Sequence, residues 1–108
     1  MLRVRWSSRT KDDFLRITGF WLEQEPDLVP VVISSIRKRV AWIADGHHLS
    51  GTPIGGRLKD YRWYLERKYG YKIYYRLEGQ PPNTIAVITI RHGRERPLKA
   101  TPLRRYAK

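Results

Sequence analysis

A stretch in the second half of the chain alternates apolar and polar residues with a period of two. The positions that this period turns inward are Ile73, Tyr75 and Leu77. The positions between them, which it turns to solvent, are Lys72, Tyr74 and Arg76. Such alternation predicts a strand with one buried and one wet face. Residues 84–90 are nearly all apolar and β-branched, which predicts a central strand buried on both faces, and the glycine and prolines of residues 79–82 require a turn between the two strands.

Two helical patterns precede these strands. In the first, Ser7 and Ser8 offer N-cap oxygens. Its apolar stripe is Phe14, Ile17, Trp21 and Leu22, with Asp12, Asp13 and Glu23 outside the stripe. Pro26 ends this helix, and Asp27 is the predicted N-cap of the second. The second stripe is Val29, Val32, Ile33, Ile36, Val40 and Ile43, and Gly46 provides a left-handed C-cap after Asp45. The short connection predicts an antiparallel helical hairpin.

The remaining segments complete an α+β fold in the order β-α-α-β-β-β. Residues 2–6 predict a first strand, residues 47–56 a glycine-rich loop, and residues 57–65 a second strand. We therefore expect an N-terminal helical hairpin packed on one face of a small, mainly antiparallel, four-stranded sheet. The whole chain, 1–108, is interpreted as one domain. For its basic tail, residues 97–108, extended, weakly helical and disordered states remain open.

Composition narrows the class of protein. The 108 residues include no cysteine, which excludes a disulfide framework and a thiolate zinc site and fits a reducing cytoplasm. No apolar run approaches membrane-spanning length, so we expect a soluble, cytoplasmic protein without a membrane partner. His47 and His48 are adjacent but have no third ligand nearby, so neither a metal nor another cofactor is expected.

The formal charge of +12 is unevenly distributed. Residues 1–56 hold eight Lys or Arg against six Asp or Glu, whereas residues 57–108 hold fourteen against four. Such a field favours a polyanion or an acidic protein partner. The predicted face opposite the helices carries basic residues with an interleaved aromatic, drawn from Arg3, Arg5, Lys72, Tyr74, Arg76 and Arg91. That face is suited to a phosphate backbone with stacked bases, or to an acidic peptide.

The polarity of the chain rises abruptly at the end of the last strand. There, Arg91, His92, Gly93, Arg94, Glu95 and Arg96 follow one another directly. A rigid central strand that ends in a histidine and several arginines is a good candidate for a functional site. The cationic groups at such an end can contact phosphate or carboxylate oxygens.

Several motifs in order resemble the RelE/ParE superfamily, the toxins of bacterial type II toxin–antitoxin modules. They are VRW-S from Val4 to Ser7, the following DDFLRI, the P-x-G-G-R loop, GYKIYYRLEG and I-x-V-I-x-I-R-H-G-R, and the similarity runs from residue 2 to residue 97. The resemblance implies a partner, a cognate antitoxin that silences the toxin. It also implies one of two targets: ParE-like members block DNA gyrase, and RelE-like members enter the ribosome and cleave mRNA. No small-molecule substrate is implied.

The resemblance also assigns residues for each activity. RelE-like cleavage needs no metal, and Lys72 and Arg94 stand at its cationic positions, with His92 or Tyr106 as substitutes for missing groups. Trp63 and Leu65 replace the two lysines of that pattern, which favours the ParE-like activity, while the charge favours the ribosome. The residues expected to bind the target or nucleic acid are Arg57, Tyr74, Arg76, Arg91 and Arg96. A non-toxic nucleic-acid-binding module and a toxin fold without activity remain alternatives.

Overall fold

The computed structural model describes residues 1–95 and 100–106. Its elements in chain order are β1 (Arg3–Trp6), α1 (Ser8–Gln24), α2 (Val29–Ala44), β2 (Thr52–Gly55), β3 (Leu58–Glu66), β4 (Tyr71–Glu78), β5 (Thr84–His92) and α3 (Ala100–Tyr106). A 3₁₀ turn at Pro26–Leu28 joins α1 to α2. None of the helices in these described ranges is long and apolar enough to cross a membrane.

The sheet has five strands in the order β1-β5-β4-β3-β2. β1 runs parallel to β5, and the other neighbours are antiparallel. The α+β class and the mainly antiparallel sheet are confirmed, but the prediction of four strands is wrong because β2 lies within the predicted loop. β2 has only four residues, includes Pro53 and Gly55, and pairs with β3 through a register shift. Proline is tolerated there because β2 is an edge strand.

One face of the sheet packs against the helical hairpin. The α2 residues Val32, Ile36, Val40 and Ile43 are buried against Ile73 and Tyr75 of β4 and Ile85 and Val87 of β5. The apolar stripe of α2 and the inward alternation of β4 are therefore confirmed. β5 is buried from Ile85 to Ile90, as expected for a strand covered on both faces.

The N-terminal ends of the helices differ from the predictions. Ser7 is the residue before α1, but its hydroxyl donates to the Ile88 carbonyl at 2.5 Å and does not cap the helix. Asp27 lies within the 3₁₀ turn, and α2 begins two residues later, at Val29. The C-terminal end of α2 is as predicted, with Gly46 at φ +82° after Asp45.

The inward stripe of α1 was also partly wrong. Ile17 is buried, but Leu22 is exposed and Asp13 is buried. Residues four apart lie on the same helix face, so Asp13 shares the buried side with Ile17. Leu22 lies on the outer side, seven residues after the exposed Leu15.

The second face of the sheet is partly covered by α3. Leu103 of α3 is buried in a cluster with Leu58, Tyr61, Tyr74 and Ile88. Part of the tail is therefore helical, and its apolar residue completes a second, smaller core. The rest of the tail, residues 97–99 and 107–108, lies outside the described residues.

Candidate functional site

Cross-strand register places the predicted basic residues on the face opposite the hairpin. Arg5 and Arg76 both pair with Ala86, so they lie in one row across the sheet. Lys72 pairs with Arg91 in another row, at the other end of β4. Directly paired residues share a face, so the predicted basic face exists as two groups. Tyr74 and Ile88 lie between the two groups.

Tyr74 is not exposed as predicted. Its side chain is only 3% accessible and packs in the cluster that Leu103 completes. The ring therefore has no free face on which a nucleotide base could stack. The prediction of a wet face was wrong at this residue because α3 covers it.

Arg76 is held in a network at one end of this face. Its guanidinium donates to Glu78 Oε2 at 2.6 Å and to the Tyr61 hydroxyl at 3.0 Å. Glu78 also accepts from Arg5, from Nε at 3.2 Å and from Nη2 at 2.9 Å. Burial acts to lower the pKa of Arg76, but the hydrogen bonds to Glu78 and Tyr61 outweigh it, so the pKa is raised. Much of the charge of Arg76 is thus already engaged within the chain.

The carboxylate of Glu78 makes the stability of the fold depend on pH. The hydrogen bond from Arg5, reinforced by Arg76, lowers the pKa of Glu78 despite its partial burial. A depressed carboxylate pKa stabilises the fold above its unfolded value of about 4.3, and the stabilisation is lost as pH falls through the folded value. We expect Glu78→Gln to lower the free energy of unfolding by about 1 kcal/mol at pH 7, allowing for partial exposure. Urea unfolding at pH 7 and pH 3 measures this difference.

The pH dependence separates this electrostatic role from simple packing. The difference between Glu78→Gln and the parent is expected to shrink as the pH falls below about 4.3, because the unfolded chain then takes up a proton at Glu78 before the folded chain does. Asp60→Asn, at an exposed position of β3, is the matched control and should change little at either pH. A Glu78→Gln deficit that stays constant from pH 7 to pH 3 contradicts the assignment.

Lys72 and Arg91 form the second basic group, near the end of β5. The Lys72 Nζ lies 4.4 Å from the centroid of the Trp63 ring, a cation–π contact. Arg91 Nη2 lies 3.1 Å from Glu95 Oε2. Trp63 and Lys72 thus form a flat aromatic surface with a charge above it, next to a guanidinium.

His92 lies on the opposite face from Lys72. It pairs with Tyr71, whose ring meets the imidazole edge-on at a centroid distance of 5.4 Å. Both rings line a pocket of about 230 Å³ on the hairpin side, together with Arg16, Phe20 and Glu95. His92 Nδ1 accepts the backbone N–H of Arg94 at 3.2 Å. The structure therefore does not bring His92 and Lys72 together.

Arg94 follows β5 in an exposed turn. Backbone hydrogen bonds fix this turn. The Arg94 N–H donates to His92 Nδ1, and the Gly93 N–H donates to the Gly70 carbonyl at 2.6 Å. Within residues 1–95 and 100–106, the Arg94 guanidinium has no hydrogen bond or ion pair. The backbone of Arg94 is therefore fixed, and its positive charge can contact a target.

Another predicted arginine, Arg57, is not part of this end of the sheet. Arg57 is exposed in the turn between β2 and β3, which register places at the opposite end of the sheet from Arg94. Arg96 lies outside the described residues. In the part of the chain that the structure describes, no group of three or more His, Asp or Glu side chains is placed to hold a metal ion.

Sequence comparison gives one decisive match. A family model described as the ParE toxin of the type II toxin–antitoxin system parDE matches residues 4–97. The chain belongs to the ParE toxin family. No curated protein matches the sequence significantly.

Solved structures with a similar fold agree with this family. The ParE-family chain has a TM-score of 0.69 to a chain of the chromosomal ParDE system from P. aeruginosa, at 14% identity, covering 85% of this chain and 96% of that one. It also resembles the RelBE2 toxin–antitoxin complex from Mycobacterium tuberculosis, with a TM-score of 0.57, 15% identity and coverage of 84% and 96%. A YoeB/ParE toxin from Agrobacterium tumefaciens gives a TM-score of 0.55, 16% identity and coverage of 84% and 98%. The resemblance to the RelE/ParE superfamily is confirmed.

Sequence reasoning missed one residue that supports the site in this ParE-family toxin. Asp13 Oδ2 accepts from Thr89 Oγ1 at 2.6 Å and from the Ile90 N–H at 3.0 Å. Its other oxygen accepts from Arg16 Nη2 at 3.3 Å. The available signal was its spacing of four from Ile17, which places a carboxylate on the buried side. Asp13 thus fixes α1 to β5 just before His92 and Arg94.

Proposed function

We propose that this ParE-family toxin is held silent by a cognate antitoxin protein and arrests growth by inhibiting DNA gyrase. The family match supports the toxin and antitoxin parts of this proposal. The choice of gyrase follows the ParE-like branch of the resemblance. A cytoplasmic location follows from the target.

The separation of His92 from Lys72 supports gyrase, rather than mRNA, as the target. RNA cleavage through the 2′-hydroxyl requires a base, cations and an acid within hydrogen-bond reach of one phosphodiester. In this chain, Lys72 faces away from the hairpin and His92 faces towards it. Trp63 and Leu65 occupy the positions where the RelE pattern has lysines. Gyrase inhibition requires a binding surface and no nucleolytic set.

A ribosome-dependent mRNA interferase is the second candidate. The Trp63–Lys72 contact and the neighbouring Arg91 resemble a surface for a base and its phosphate. The available guanidinium of Arg94 adds a cation at the same end of β5. In this alternative Arg94 and Lys72 stabilise the phosphorane charge without a metal, and His92 would transfer a proton only after a rearrangement.

Expression in bacteria tests the proposal. We expect induction without a partner to arrest growth and co-expression of the adjacent small gene to relieve the arrest. Gyrase inhibition should produce filaments and a DNA-damage response while bulk translation continues at first, and the purified toxin should reduce supercoiling by gyrase. Cells that carry the empty vector under the same induction are the control. Cuts in mRNA at the ribosomal A site, with supercoiling unchanged, favour the second candidate, and normal growth with abundant soluble protein contradicts both.

A further inference from the structure

A carboxylate lies between two arginines at the end of β5. Glu95 is three residues beyond His92, the last residue of the strand, and its side chain turns back towards the strand. Glu95 Oε1 lies 3.3 Å from Arg16 Nη1 and accepts the His92 N–H at 3.2 Å. Glu95 Oε2 lies 3.1 Å from Arg91 Nη2. Donors from α1 and from β5 therefore converge on one carboxylate.

This cluster forms where β1 no longer covers the edge of β5. β1 pairs with residues 84–87 only, and beyond them side chains of α1 bond the β5 backbone. Asp13 accepts the Ile90 N–H at 3.0 Å, and Arg16 donates to the Ile90 carbonyl at 3.0 Å. The His92 N–H, two residues further along, donates to Glu95 instead. Because backbone donors need acceptors, any group that replaces Glu95 here must itself be an acceptor.

The ion pairs of Glu95 can be exchanged at small cost. The Glu95 side chain is 34% accessible and that of Arg16 is 46% accessible, so water reaches both groups. Ion pairs in contact with water contribute little to stability. A carboxylate from another molecule can therefore take the place of the Glu95 carboxylate without unfolding the end of β5. We interpret the cluster as an anion site that the chain fills with its own side chain.

An apolar pocket adjoins this anion site. Its volume is about 230 Å³, and its apolar lining comes from Ile17, Phe20 and Tyr71. The Tyr71 hydroxyl accepts from Trp21 Nε1 at 2.8 Å, which fixes that wall, whereas Phe20 is 53% accessible at the margin. Pockets for whole small molecules usually measure about 300–1,000 Å³. The smaller size suits one apolar side chain.

We propose that the Arg16–Arg91–His92 cluster binds a carboxylate of the toxin's protein target, which displaces Glu95 while a neighbouring apolar side chain of the target enters the pocket beside Phe20. This inference rests on the proposed function, in which the target is gyrase. The charge of +12 favours an acidic partner. A nucleic-acid phosphate would satisfy the donors but would bring no apolar side chain to the pocket. Glu95 thus competes with the target and limits its affinity.

Two substitutions test the site in purified toxin. Glu95→Gln keeps an acceptor oxygen for the His92 N–H but loses the charge, so we expect it to lower the concentration for half-inhibition of gyrase supercoiling at least about threefold. Phe20→Gln should raise that concentration at least about threefold. Asp60→Asn, which loses the same charge at an exposed site near the other end of the sheet, is the matched control and should have no effect. Thermal unfolding shows whether each fold is intact.

A second measurement does not depend on gyrase. ¹⁵N-labelled toxin is titrated with N-acetyl-Glu-Phe-amide, and the His92 amide signal is followed by NMR because its hydrogen bond to Glu95 is the one replaced. We expect this signal to shift with the acidic dipeptide and to saturate at a lower concentration in Glu95→Gln. N-acetyl-Gln-Phe-amide, which lacks the carboxylate, should leave the signal unchanged.

The outcomes separate this inference from the proposed function. If Glu95→Gln inhibits gyrase no better than the parent, Glu95 only braces the turn and the inference is overturned. If Glu95→Gln binds a short duplex DNA more tightly but the dipeptide does not shift the His92 signal, the ligand is a phosphate and the inference is also overturned. If the parent leaves supercoiling unchanged while the dipeptide binds as expected, the proposed function fails and the carboxylate site stands.

Discussion

Replacing Arg94 by alanine is expected to remove most of the toxicity while changing the free energy of unfolding by less than about 0.5 kcal/mol. The side chain is exposed, and its guanidinium has no ion pair among the described residues, so the fold does not depend on it. Its backbone is fixed by the hydrogen bond to His92. A guanidinium presented in this way can bind a carboxylate or phosphate with two parallel hydrogen bonds. Losing such a contact costs about 1–3 kcal/mol of binding to the target.

The measurement is growth arrest at matched expression levels, together with denaturant unfolding of the purified proteins. Arg94→Lys should recover only part of the toxicity because an ammonium group cannot reproduce the paired contact. Arg104→Ala, at an exposed arginine of α3, is the control for loss of one positive charge. If the Arg94→Ala protein is as toxic as the parent, the functional site must lie on the sheet face that carries Lys72 instead.

Asp13→Ala is expected to destabilise the fold by about 3 kcal/mol. Asp13 is 1% accessible and ties α1 to β5 through Thr89 and Ile90. Removing the carboxylate leaves the Thr89 hydroxyl and the Ile90 N–H buried without that acceptor and takes a counter-charge from Arg16. Buried donors without acceptors are costly because they have also lost their water.

Equilibrium unfolding in urea measures this loss. Asp12→Ala is the matched control, since the neighbouring carboxylate is exposed on the same helix turn, and it should cost less than about 0.5 kcal/mol. Equal effects of the two substitutions would show that the buried hydrogen bonds of Asp13 contribute little. Asp13→Asn should fall between the two because its amide retains one acceptor oxygen.

Much of the fold follows from periodicity along the chain. The alternation in β4, the apolar run of β5 and the stripe of α2 each fit one period over enough residues to fix the buried side. The inward stripe of α1 was harder to identify because this helix has apolar residues on two sides. Leu22 belongs to the outer side, and only packing distinguishes it from Ile17.

Periodicity along the chain did not predict β2 or the burial of the sheet face that α3 covers. β2 contains four residues with a proline and a glycine, so no alternation identifies it as a strand. The burial of Tyr74 depends on Leu103, which is about thirty residues away and belongs to a helix of seven residues. Local sequence does not encode that contact.

The residues of the candidate site are divided between the two faces of the sheet, and the register of β5 against β4 decides which face each one occupies. Whether His92 shares a face with Lys72 is decided by which β5 residue pairs with which β4 residue, and this register shifts by one between Tyr74 and Tyr75. A shift of one residue reverses the face of every side chain beyond it. The sequence identified the residues at the end of β5 but not their orientation.

The parallel pairing of β1 with β5 has a consequence for synthesis. Residues 3–6 find their sheet partners only at residues 84–87, so the contacts that complete the fold join distant parts of the chain. Topologies of this kind fold late and slowly because a long loop is closed before its contacts are gained. While the chain is being made, the apolar stripes of α1 and α2 have no sheet to cover them. We therefore expect a chain that stops before β5 to remain incompletely folded and open to proteolysis.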